Sequence, residues 1–141
     1  MCNYKDNSLN GTFKNYYDNG KVKEESYYLN NELHGLSTQY DINSSKIFSI
    51  EYKKGLKHGL LTEYFLNGNP KKITKFYCDN IHGYIKNFFP NGILKMKMSV
   101  RDNRFTGFLT HYYNNGNIMN EYYKSQSYNL KTLKIYFNNG S

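Results

Sequence analysis

The sequence predicts an all-β fold, an open antiparallel array of β-hairpin repeats forming an elongated, twisted meander sheet. Three observations predict it. Gly11, Gly35, Gly59, Gly83 and Gly107 recur at a strict 24-residue interval, and a fixed period of this length marks a repeat architecture. An aromatic follows each glycine by five residues, at Tyr16, Tyr40, Tyr64, Phe88 and Tyr112. Asn-Gly pairs then stand at 19-20, 67-68, 91-92, 115-116 and 139-140, and Asn-Gly between apolar segments is the strongest short-range hairpin signal.

The Asn-Gly pairs predict tight two-residue type I′ turns, which need positive φ at both central positions. After each turn the chain alternates with period two: Lys46, Phe48, Ile50 and Tyr52 point one way, as do Leu94, Met96, Met98 and Val100, with Lys95, Lys97 and Ser99 opposite. Such alternation predicts one buried and one solvated face. The return connections carry Leu33-His34-Gly35, Lys57-His58-Gly59 and Ile81-His82-Gly83, with Phe105-Thr106-Gly107 as a variant. Glycine there allows a tight turn or a bulge.

The expected organisation is a single domain over 1-141: a half repeat 1-10, repeats 11-34, 35-58, 59-82, 83-106 and 107-130, and a half repeat 131-141. Half repeats at both ends suit an open solenoid or a stretch of a longer array. Edge strands are expected near residues 1-6 and 131-137, where unpaired backbone groups would permit association between copies. Two places break the pattern. Asp41 and Asn43-Ser44-Ser45 replace the second aromatic and the Asn-Gly pair, which predicts a looser turn. Residues 124-131 lose the His-Gly element, which predicts an irregular connection.

Composition agrees with a thin sheet. Of 141 residues only 38% are hydrophobic, yet 18% are aromatic, with sixteen Tyr, nine Phe and no Trp. Tyr packs its ring while its hydroxyl reaches water or backbone. No apolar run reaches the ~18 residues of a membrane span, and the N-terminal residues lack a secretory pattern. Cys2 and Cys78 are too few for a disulfide framework. Reduced thiols and a cytoplasmic location are the expectation.

Tyr16-Tyr17-Asp18-Asn19-Gly20-Lys21, Phe65-Leu66-Asn67-Gly68-Asn69 and Tyr112-Tyr113-Asn114-Asn115-Gly116-Asn117, joined by the His-Gly elements, resemble the variant MORN repeat common in bacterial proteins. The resemblance covers essentially the whole chain. It implies hairpins stacked side by side with stacked aromatics, and no enzyme. Many bacterial members carry the label of an antitoxin component, and eukaryotic relatives are scaffolds linked to membranes, so the resemblance points to contact with a partner.

No residues present a catalytic or cofactor site. Equivalent positions in neighbouring hairpins lie about 9.5 Å apart, so His34, His58 and His82 would form a line about 19 Å long, whereas zinc takes ligands at about 2.1 Å. A structural turn role is expected for them. Cys78 is near His82 in sequence, but a buried or half-buried structural thiol is the simpler reading. Glu24 and Glu25 are adjacent on a strand and point apart.

The first aromatic column reads as a ladder of core rings. The second column, Tyr17, Phe65, Phe89, Tyr113 and Phe137, is the one expected to be exposed, as a platform on which bases or sugars would stack. The net charge of +8 is concentrated in residues 71-141, which hold eleven basic and three acidic residues against eight and eight before them. Lys71, Lys75, Lys95 and Lys97 share the non-core phase of two successive strands, with Arg101 and Arg104 at the adjoining turn, and would form one patch. With Phe65, Phe89 and Tyr113 they make the candidate partner-binding set. Such a patch would meet an acidic protein surface; nucleic acid and anionic lipid head groups are the alternative classes. Seventeen Lys to two Arg argue against specific base reading, which favours Arg. A lysine-rich solvated face is the competing reading.

Overall fold

The computed structural model describes residues 3-5, 8-124 and 131-135, with side chains from residue 8 to 123. Its backbone forms β1 Asn3–Lys5, β2 Ser8–Tyr16, β3 Val22–Leu29, β4 Glu32–Leu33, β5 Gly35–Tyr40, β6 Lys46–Lys53 and β7 Leu56–Tyr64. These are followed by β8 Pro70–Tyr77, β9 Asn80–Phe88, β10 Leu94–Arg101, β11 Arg104–Tyr112, β12 Ile118–Lys124 and β13 Lys131–Ile135. Among the described residues the strands pair in chain order as one open antiparallel sheet from β1 to β13, with β4 pairing β3 beside the path. The repeat therefore builds an open hairpin meander, as its period predicts. The expected irregular connection falls largely on 125-130, outside the described residues, as does Phe137.

The two kinds of turn exchange roles relative to expectation. At Tyr17-Asp18-Asn19-Gly20-Lys21 the Gly20 N–H donates to the Tyr17 carbonyl at 2.9 Å, and the Tyr17 N–H donates to Lys21 at 2.8 Å. Only Gly20 has positive φ, at 80°. This is a three-residue loop, a type I turn closed by a left-handed residue and a bulge. Asn19 is selected for its side chain instead: its Oδ1 accepts the Lys21 N–H at 3.1 Å, and Asn67, Asn91 and Asn115 do the same two residues on. The expected looser turn at 41-45 has the same geometry. Ser44 takes the left-handed position with φ 74°, and Asp41 Oδ1 accepts the N–H groups of Asn43 and Ser45 at 2.9 and 2.8 Å.

The type I′ turns lie in the return connections. Asn30-Asn31, Lys54-Gly55, Cys78-Asp79 and Asp102-Asn103 all have positive φ at both positions, and each is closed by a flanking pair such as Tyr77↔Asn80 or Arg101↔Arg104. The His-Gly element is a bulge: between Ile50↔Leu61 and Tyr52↔Lys57 one strand advances two residues and its partner four. Gly59, with φ 122°, lies so close to the Glu51 side chain that a Cβ would overlap it.

Backbone groups in the I′ turns also link each repeat to the one before. The Asn103 N–H donates to the Ile81 carbonyl at 3.0 Å, and Asn103 Oδ1 accepts the Ile81 N–H at 2.8 Å. Asp79 makes the same reciprocal pair with Lys57, and Asn31 with Leu9. Gly55 makes only the backbone half, to Leu33 at 2.8 Å.

Packing differs from the expected one-sided core. In-register pairing places Ser37, Ile50, Leu61, Thr74, Ile85, Met98, Leu109 and Tyr122 in one row across the sheet. We call their side the methionine face. The alternate residues form a second row: Lys14, Glu25, Thr38, Ser49, Thr62, Ile73, Lys86, Lys97, Thr110 and Glu121. This is the lysine face. Buried residues occur on both: Ile50, Thr74 and Val100 on the first, and Thr38, Ser49, Thr62 and Thr110 on the second. A single layer has no second layer to cover it, so most of the side chains that leave solvent are short, as is Ser49, whose Oγ lies 3.1 Å from the Tyr64 hydroxyl. Burial raises the Tyr52 phenol above its ordinary range.

The incomplete clamp at Gly55 generates a prediction. Gly55→Asn adds the missing acceptor at a position whose φ of 74° Asn tolerates, with open space for its Cβ. It should stabilise the chain by roughly 0.5–1 kcal/mol, while Asn103→Ala should cost about 1 kcal/mol. Thermal melts of both variants check this, and equal, unchanged midpoints would show that the clamp contributes nothing.

Candidate functional site

The expected basic patch divides between two places. The Asn-Gly loops end in a one-residue bulge, since Glu63↔Lys72 is followed by Tyr64↔Pro70 and Asn87↔Met96 by Phe88↔Leu94. The residues left over are Lys71 and Lys95. They leave the alternation that was to place them beside Lys75 and Lys97, and instead line a cleft of about 360 Å³ with Phe65, Phe89, Glu63, Lys72 and Asn87. Lys95 holds its ammonium 5.6 Å from the centre of the Phe89 ring. Glu63 and Lys72 pair across the strands with Nζ–Oε1 3.7 Å.

Lys75 and Lys97 remain together on the lysine face. Lys75 lies over Gly83, whose absent Cβ leaves room for its stem. Lys97 stands directly opposite Lys86, a residue that the strand-by-strand reading did not single out. Its signal was in the sequence: Lys86 is Lys14 advanced by three periods of 24. At the first hairpin the same row holds Lys14 opposite Glu25, bonded at 3.0 Å, and that hydrogen bond and charge raise the Lys14 pKa. At the fourth the carboxylate is replaced by a second ammonium. Lys86 turns toward the Tyr84 ring, 4.6 Å from its centre, and none of Lys75, Lys86 and Lys97 has an ion pair among the described residues.

Arg101 and Arg104 are exposed and flank the Asp102-Asn103 turn, at the end of the sheet opposite the cleft. Tyr113 belongs to the next three-residue loop, where its N–H donates to the Asn117 carbonyl. The lysine face also presents apolar side chains: Tyr27, Leu36, Phe108 and Tyr123 are exposed, with the Phe108 and Tyr123 rings 5.1 Å apart. The second aromatic column is not the more exposed one. Tyr17, Phe65, Phe89 and Tyr113 are half-buried, and it is Tyr16 of the first column that is 53% exposed. The second ring gains cover from the adjoining repeat, as where the Tyr17 hydroxyl donates to the Tyr40 carbonyl at 2.8 Å.

The histidines of successive repeats face different partners. His82 Nδ1 is 3.0 Å from Asp102 Oδ1, and His58 Nδ1 is 3.8 Å from Cys78 Sγ. Each thus touches the first residue of the next I′ turn. Cys78 is exposed, contrary to the buried thiol expected, because the first position of an I′ turn projects from the sheet edge. Among the described residues no three His, Cys, Asp or Glu side chains come together as a metal site, and no helix is long and apolar enough to cross a membrane.

A repeated hairpin with this loop, bulge and return turn defines a repeat protein that presents surfaces rather than enclosing a pocket. The sequence matches the MORN repeat variant family at residues 9–30, 57–79 and 81–102. The chain belongs to the MORN-repeat proteins through repeats of this variant type. No curated protein matches it. MORN repeats generally serve as non-catalytic binding modules, commonly for proteins or membrane lipids.

The Lys86–Lys97 pair predicts opposite effects on stability and on binding. Like charges directly opposite on a sheet are destabilising, whereas opposite charges contribute roughly 0.2–1 kcal/mol. Lys86→Glu should therefore raise stability by up to about 1 kcal/mol at low salt, with the gain shrinking as salt screens the pair. Chemical denaturation at two ionic strengths checks it; a loss of stability at low salt would contradict the cross-strand placement.

Proposed function

We propose that this chain is a non-catalytic module that binds a protein with an acidic surface on its lysine face. The observation that carries this reading is the Lys75, Lys86 and Lys97 cluster, free of carboxylate partners and bordered on the same face by exposed Phe108 and Tyr123. Ammonium groups held at a cost in mutual repulsion attract an acidic partner and speed its encounter. Exposed rings beside them supply the apolar contact from which interface affinity mostly comes. Covering a nucleic-acid-binding or catalytic surface of that partner would make the module an inhibitor, the antitoxin-like role that the family resemblance suggested.

The same unpaired ammonium groups favour a second reading, attraction to polyanions such as nucleic acid or an anionic membrane surface. Affinity resting on counterion release falls steeply with salt.

Capture of partners by the tagged full chain, with nuclease treatment and washes at low and high salt, separates the two. One acidic protein retained through both, and lost with Lys75→Glu, Lys86→Glu and Lys97→Glu combined but not with Lys53→Glu and Lys54→Glu combined, is the expected result. Equal capture by all variants would sink the lysine-face reading. Nucleic acid or many proteins released together at high salt would favour the polyanion reading.

A further inference from the structure

On the other side of the bulge, the geometry points to the cleft at the junction of the third and fourth hairpins as a binding site for a nucleotide. Its base would enter between Phe65 and Phe89, and its phosphate would meet the ammonium groups of Lys71, Lys72 and Lys95. The cleft is built rather than incidental. Asn67 Nδ2 and Asn69 Nδ2 both donate to the carbonyl of Pro90, a lining residue, at 2.7 and 2.8 Å, holding one loop to the next.

The register argues for a planar ring. Equivalent side chains in neighbouring hairpins are about 9.6 Å apart, two strand spacings, so a ring midway would lie about 4.8 Å from each, within the roughly 4.5–7 Å of favourable aromatic pairs. Phe65 and Phe89 make no ring contact with each other. Three lysines against Glu63 leave the lining cationic, which suits a ring carrying an anionic group. Asn87, also in the lining, carries the one buried side-chain acceptor without a partner among the described residues.

Only this junction carries the full set. The second-aromatic position reads Tyr17, Asp41, Phe65, Phe89 and Tyr113, and the bulge position reads Lys23, Ile47, Lys71, Lys95 and Met119. Only Phe65 with Phe89, and Lys71 with Lys95, are adjacent aromatic and lysine pairs at once. A general loop-capping role would not single out one junction of the array.

The test is a fluorescence titration of the full chain with etheno-AMP, in competition with AMP, ribose 5-phosphate and inorganic phosphate, and in parallel with a short oligoadenylate. The expected result is saturable binding that AMP displaces and ribose 5-phosphate does not. Phe89→Leu, which keeps bulk without an aromatic face, should weaken it at least about fivefold, the lower end of one lost base stack. Lys71→Glu with Lys95→Glu should abolish it, and Lys53→Glu with Lys54→Glu should leave it within about twofold, as screening of distant charges requires. Far-UV circular dichroism confirms that each variant folds. Oligoadenylate binding more tightly than AMP would identify the source as single-stranded nucleic acid, and equal affinity would identify free nucleotide; either supports the site. No saturable binding, equal displacement by ribose 5-phosphate, or equal loss in the Lys53→Glu, Lys54→Glu control would overturn it.

Discussion

Everything in this sheet depends on the backbone ladder that passes from each hairpin to the next. Ile50 and Val100 are the only buried hydrophobic residues among those described, so no apolar interior holds the strands in register. Register comes from the strand pairing itself and from the reciprocal bonds of Asn31, Asp79 and Asn103 with the preceding repeat. Each repeat contacts mainly its neighbours, so stability accumulates along the array, and a defect such as Gly55 weakens one junction without unravelling the rest.

Because the layer is single, both faces meet solvent and both are available for binding. On each face most of the buried side chains are small and carry a hydroxyl: Thr38, Ser49, Thr62 and Thr110 on one side, Ser26, Ser37 and Thr74 on the other. Hydroxyls serve here because they find partners at short range, as Ser26 and Ser37 do at 2.7 Å. A surface assembled this way is set by which side chain occupies each 24-residue position. Departures from the repeat, such as Lys97 where Glu25 and Glu121 stand, are therefore what distinguishes one hairpin's surface from the next.

Two bulges per repeat decide where those departures point. The one-residue bulge after each loop turns Lys71 and Lys95 toward the Phe65–Phe89 cleft, while Lys75 and Lys97 keep the strand alternation and stay on the lysine face. Extrapolating period two through a bulge misplaces every residue at it. That is why the single patch of Lys71, Lys75, Lys95 and Lys97 that alternation predicts divides between the cleft and the lysine face. Lys86 emerges only when the strands are paired, since its meaning lies in the Lys97 opposite it rather than in its own neighbours along the chain.

By itself the sequence determined the 24-residue period, the hairpin meander and the family, because glycines, rings and loop asparagines recur at positions that local backbone geometry demands. It also contained the return turns, legible as Asn30-Asn31 and Asp102-Asn103 once one knows that both residues are left-handed. Tertiary structure decided which turn was type I′, which face each lysine joined and which rings were covered. Those outcomes depend on register between strands, and a shift of one residue in register exchanges the two faces of a sheet without altering a single local signal.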